Sequence, residues 1–290
     1  MDWDSWSDMD KTILKESKNW FNWRYYGLSA IPLLVGTFLG AYGGDLRFFP
    51  LILLVFILFL GKTAISIFAL LQEREGKKII YCPYVFESSK LPFGDDVLRF
   101  IGYLSFILSV IFGFVLCIVS GFGLLSFGIL AVVVALAFIM GYGYVRPGVD
   151  LGLSFFSQGV LITLASYYAQ SGNFAWSALA VSLPIGFMVS ALVLRSELAE
   201  KEEVFSEDII YLPQYLGAET AERLFTLLFA LGYTFIVLNV FYGVSGFWSL
   251  GLLLLLPLVK KGIFEEAKFL QFYWKFGLIY AFCLLLHFTF

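Results

Sequence analysis

Hydrophobic positions fall in long unbroken runs divided by short polar stretches. Nine such runs occur, near residues 26–44, 48–71, 98–118, 122–145, 151–170, 175–195, 221–242, 246–260 and 269–289. Most approach the ~20 apolar residues that a helix needs to cross a bilayer, and none shows the alternation of a membrane β-strand. The pattern predicts an all-α integral membrane protein, a bundle of nine membrane-spanning helices. Ahead of it, Trp3, Trp6, Met9, Ile13, Trp20 and Phe21 recur at helical steps with Asp and Lys between them. Residues 1–24 therefore read as an amphipathic helix, lying on the membrane surface or packed on the protein's own face. They lack the apolar centre of a signal peptide. Residues 25–290 then form one membrane domain.

Composition agrees. Hydrophobic residues make up 60% of the chain and charged ones 14%, with a mean hydropathy of +0.86, whereas soluble domains carry about 25% charged residues. A net charge of −3 excludes the basic surface that nucleic acid requires. Cys82, Cys117 and Cys283 are scattered without metal-type spacing, and His287 is the only histidine. Metal sites built on histidine and serine–histidine or cysteine–histidine catalysis are thereby excluded.

Basic residues set the orientation. Lys11, Lys15, Lys18 and Arg24 precede the first run. Arg74, Lys77, Lys78, Lys90 and Arg99 follow the second, Arg146 the fourth, Arg195, Lys201 and Arg223 the sixth, and Lys260, Lys261, Lys268 and Lys275 the eighth. Nine crossings place all of these on one side, the cytoplasm, and leave Arg47 alone on the other. The amino terminus and the two longest loops, 72–96 and 195–219, are then cytoplasmic.

The stretch Asp150–Gly217 combines membrane-length runs with a burst of carboxylates. Two apolar runs, joined by the turn Gln170-Ser171-Gly172-Asn173, end in Glu197, Glu200, Glu202, Glu203, Glu207 and Asp208. Glu197, Glu200 and Glu203 step by three along one helical face. They read either as a station for a cation or diphosphate, or as a solvated acidic face beside Lys201. Lys62 lies deep in the second run, where a bare ammonium costs at least ~2.5–3.5 kcal/mol. It shares a face with Ser66, Ala69 and Glu73. Lys62 could neutralise a polar head group, pair with Glu197, or brace the bundle through a hydrogen bond. Asp95 and Asp96 are expected to cap the third helix.

The order of several segments resembles the UbiA superfamily of membrane prenyltransferases, nearest to the branch that prenylates 1,4-dihydroxy-2-naphthoate. The matching pieces are Asp150–Gln158, Ala165–Gly172, Ser182-Leu183-Pro184-Ile185-Gly186 and Leu216–Leu224, with a looser match at Pro32–Gly36. The resemblance implies a nine-transmembrane-helix UbiA-type bundle with a lipid-sized central cavity, and transfer of an isoprenyl chain from a diphosphate to an aromatic quinone precursor. It also implies Mg²⁺ held by aspartate-rich motifs after the second and sixth helices. Here the first motif falls on Phe68, Ala69 and Gln72, with only Glu73 and Glu75 nearby. The second falls on Glu197, Glu200 and Val204, with Glu203 one residue off register. On this basis Lys62 and Glu73 are placed at the reacting end. Glu197, Glu200 and Glu203 would hold Mg²⁺, while Arg74, Lys77, Lys78, Gln158 and Tyr167 would bind substrate. Topology alone also explains Arg74, Lys77 and Lys78, and interfacial tyrosines are common. The alternative on the same scaffold is a binder or carrier of an isoprenoid lipid that performs no transfer.

Overall fold

The computed structural model describes residues 28–42, 44, 46–75, 79–80, 93–121, 128, 132, 149–203, 209–210, 212–255 and 266–289. The stretch 1–24 and nearly all of the run 122–145 lie outside the described residues. The helices are α1 (Ala30–Ala41), α2 (Phe48–Arg74), α3 (Asp95–Val119), α4 (Val149–Ser154), α5 (Ile162–Ser171), α6 (Trp176–Glu203), α7 (Leu212–Leu216), α8 (Ala218–Phe241) and α9 (Glu266–Thr289). A π-helical segment, Phe155–Leu161, joins α4 to α5, and a 3-10 helix spans Phe247–Leu255. The described chain is helical apart from two-residue strands, β1 (Ile79–Ile80) and β2 (Ile209–Ile210), which pair in parallel.

Among the described residues five helices are long and apolar enough to cross a membrane: Phe48–Gln72, Asp95–Val119, Trp176–Leu198, Ala218–Phe241 and Phe269–His287. Their outer faces support that reading. On α3, Phe100, Tyr103, Ile107, Ile111, Phe114 and Ile118 are all exposed and recur at steps of three and four. A soluble helix buries such a stripe, whereas this one turns it outward, as lipid requires. Two expected spans differ from the sequence reading. α1 has only 12 residues, and the run from 246 opens as a 3-10 helix, where Gly243, Gly246 and Gly251 weaken α-helix propensity.

α6 is the central element. Within its most apolar window 72% of residues are buried, against 22% for α3. Its small residues let neighbours approach on every side. A Cβ on Gly186 would come within 2.8 Å of the Phe155 ring, and one on Gly159 would overlap the Gly186 backbone. Ser190 Oγ donates to the Leu151 carbonyl at 2.9 Å, so α6 runs antiparallel to the α4–α5 rod. Asn239 Nδ2 donates to the Ala180 carbonyl at 2.9 Å, which sets α8 antiparallel to α6. A ladder of rings, Phe225 on Phe269 at 5.1 Å and Phe229 on Phe272 at 5.6 Å, holds α8 parallel to α9.

α1 packs parallel to α5. Ser29 Oγ donates to Gln158 Oε1 at 2.7 Å. Further along, Gly36 meets Thr163 and Ser166, and Gly40 meets Tyr167 and Gln170. This is the small-xxx-small contact by which membrane helices close on each other. α3 runs antiparallel to α2, with Ser109 Oγ donating to the Ile57 carbonyl at 3.2 Å. Thus α1, α3, α5, α8 and α9 point one way, and α2 and α6 point the other.

Candidate functional site

α2 and α6 both end toward the strands, and the β1–β2 pairing joins the two loops that follow them. Ile79 pairs with Ile209 and Ile80 with Ile210. The charged loops singled out in the sequence therefore meet.

Three charged side chains are buried among the described residues: Lys62 (4% exposed), Arg195 (8%) and Glu197 (0%). Lys62 is enclosed by protein rather than turned to lipid, as its helical face with Ser66 and Ala69 predicts. Ser66 and Ala69 are buried with it. Glu73 continues the register in the last turns of α2, but its side chain lies outside the description. The same holds for the side chains of Glu200 and Glu203 at the end of α6, and for Lys77 and Lys78 altogether.

Glu197 has a structural partner. Its Oε2 accepts the Leu212 backbone N–H at 2.8 Å. Leu212 opens α7, so the carboxylate caps an unsatisfied amide at a helix start, where negative charge is favoured. The contact draws the chain after α6 back onto α6 itself.

Arg74 is engaged at the α2–α3 hairpin. Its guanidinium donates to Asp95 Oδ1 at 2.8 Å and to the Phe93 carbonyl at 3.1 Å. Arg99 donates to Glu75 Oε1 at 2.9 Å. These two ion pairs close the α2–α3 hairpin, so Arg74 serves the hairpin and Glu75 faces Arg99. Asp95 is likewise not the cap of α3. Gly94 holds that position, without a side-chain cap, and Asp95 sits in the first turn where the helix dipole and Arg74 both favour its charge.

Gln158 is buried in the middle of the π segment and bonds Ser29 at the start of α1. Tyr167, on α5, is half-buried and packs against the main core. The π segment has no signature in the sequence, and Ser29 is 129 residues from its partner.

Among the described residues no group of three His, Cys, Asp or Glu side chains lies close enough to hold a metal ion, and the side chains of Glu200 and Glu203 are not among them. Glu75 is engaged by Arg99, and Glu197 by a backbone amide. No protein-family model matches the chain, and no curated protein matches its sequence.

Proposed function

We propose that this chain is a multi-pass membrane protein of UbiA type that takes an isoprenyl diphosphate and passes the prenyl chain to an aromatic acceptor. The observation that supports the reading is the meeting of the loops after α2 and α6 through β1 and β2. Those are the loops on which the resemblance puts the diphosphate end of the site. Helix directions favour nine crossings. α3 and the α4–α5 rod point the same way, as do α8 and α9, which is the pattern a nine-crossing path requires. With that count the loops 72–96 and 195–219 and the amino terminus are cytoplasmic.

Glu75 and Glu197 serve partners other than a metal ion. That observation favours a second reading, an isoprenoid-binding or carrier protein that performs no transfer. A single assay separates the two. Purified protein is incubated with geranylgeranyl diphosphate and 1,4-dihydroxy-2-naphthoate, with Mg²⁺ or with EDTA. A prenylated product supports the transferase. Saturable diphosphate binding without product supports the carrier, and neither binding nor product contradicts both.

A further inference from the structure

The central helix α6 carries a proline in its interior, Pro184, and that proline is buried. Proline has no N–H, so the carbonyl four residues earlier loses its donor within the helix. That carbonyl belongs to Ala180. Inside a bilayer no water can replace the donor, and a helix bends most readily where such a bond is missing.

The replacement comes from another helix. Asn239 Nδ2 donates to the Ala180 carbonyl at 2.9 Å. Asn239 is 4% exposed and sits two residues before the end of α8. A side-chain amide has two N–H donors, and the same nitrogen reaches Tyr280 Oη on α9 at 3.4 Å. Tyr280 is itself completely buried. The Asn239 backbone is anchored as well, its carbonyl accepting the N–H of Val244 at 2.7 Å and of Ser245 at 3.0 Å. One side chain thus ties the break in α6 to both α8 and α9.

The opposite flank of the break is irregular too. Gly186, two residues past the proline, lies against the backbone of Gly159, in the middle of the π segment. A π turn is a local departure from the α-helical hydrogen-bond ladder. An interruption in α6 therefore faces an interruption in the α4–α5 rod, backbone to backbone. Beyond Pro184 the helix leads to Glu197, thirteen residues on. That distance is roughly 20 Å along the axis, so a tilt of about 10° at Pro184 displaces Glu197 by roughly 3.5 Å.

We infer that Pro184 is a hinge in α6 and that Asn239, backed by Tyr280, is the latch that holds it. With the latch bonded, the stretch Trp176–Leu183 and the stretch leading to Glu197 move as one rod. With the latch released, the part beyond Pro184 tilts and carries Glu197 away from the Leu212 N–H that it accepts. The device does not depend on the ligand proposed above.

The test is hydrogen–deuterium exchange on the full chain in lipid nanodiscs. The variants are Asn239→Leu, Tyr280→Phe, Pro184→Ala and the double variant Pro184→Ala/Asn239→Leu. Pro184→Ala restores the N–H at position 184, so Ala180 regains a partner in its own helix and Asn239 has no bond to replace. Asn239→Leu should speed exchange across 181–190 about two- to tenfold, the scale of one net hydrogen bond, and leave α3 unchanged. Tyr280→Phe should give a smaller rise over the same residues. Exchange at Leu212 should rise in Asn239→Leu, and in the Pro184→Ala background the asparagine substitution should change neither region. Equal acceleration in both backgrounds overturns the latch, because the asparagine then only packs. So does an unchanged rate in Asn239→Leu, or a rise spread evenly over α3 and α6. A rise at 181–190 without one at Leu212 overturns the hinge. If Asn239→Leu alone fails to fold, folding of the double variant supports the latch, and failure of both overturns it.

Discussion

The Arg47 guanidinium donates to the Val119 carbonyl at 2.6 Å. Val119 is the last residue of α3, and a second guanidinium nitrogen reaches the Ala169 carbonyl, near the end of α5, at 3.4 Å. Gln170 completes the knot, accepting from the Arg47 N–H at 2.8 Å and donating to its carbonyl at 3.0 Å. A cation at two helix C-termini satisfies carbonyls that have no partner within their own helices, and it meets the negative ends of both dipoles. Arg47 was the one basic residue that broke the charge asymmetry of the loops. Its position follows from capping rather than from topology.

Arg47→Met should therefore lower stability by about 2 kcal/mol, the scale of a hydrogen bond to a charged group. Arg47→Lys should recover only part of it, because an ammonium lacks the planar fork that spans two carbonyls. Thermal unfolding in detergent measures both. An unchanged melting temperature in Arg47→Met would show that the knot carries no weight.

Glu197 separates two chemistries by a conservative change. If its work is to accept the Leu212 N–H, Glu197→Gln keeps an acceptor and stays near wild type. Glu197→Ala should then lose about 1.5–3 kcal/mol and make α7 (Leu212–Leu216) more accessible to protease. Limited proteolysis alongside melting reads this out. If the residue instead serves as a metal ligand, Glu197→Gln should abolish Mg²⁺-dependent binding while leaving the protease pattern intact.

The α1–α5 contact admits no side chain at Gly36, because a Cβ there would overlap the Thr163 carbonyl. Gly36→Val should cost about 1–3 kcal/mol or more, the usual range for overpacking. Gly44, which meets nothing within 4 Å, should tolerate alanine. Equal stability of Gly36→Val and Gly44→Ala would contradict the close approach of the two helices.

Membrane class was legible because it is written in run lengths and in the placement of Lys and Arg. The turn at Gly172 was legible too, since a polar Gln-Ser-Gly-Asn break between apolar runs calls for a left-handed residue, and φ there is +70°. Lys62 stood out because a charge at that depth must be enclosed, and it is. What escaped the sequence were partnerships between distant residues. Arg74 looks the same whether it marks the cytoplasmic side or grips Asp95, 21 residues on. The partner of Glu197 is a backbone amide, which has no residue signature. The Gln158–Ser29 bond depends on how α1 lies against the π segment, and no local pattern encodes that.

Sidedness tests the nine-crossing proposal. A tag in the loop 72–96 should be reached from the cytoplasm, and a tag at Phe290 only from the opposite side. Both tags on one side would give an even number of crossings between them and overturn the count.

The most direct measurement of the central claim is equilibrium binding of geranylgeranyl diphosphate to the purified wild-type chain, with geranylgeraniol as the uncharged control. The proposed function predicts saturable binding of the diphosphate, at one site per chain, markedly tighter than binding of the alcohol. Equal affinity for the two, or no saturation by the diphosphate, would contradict it.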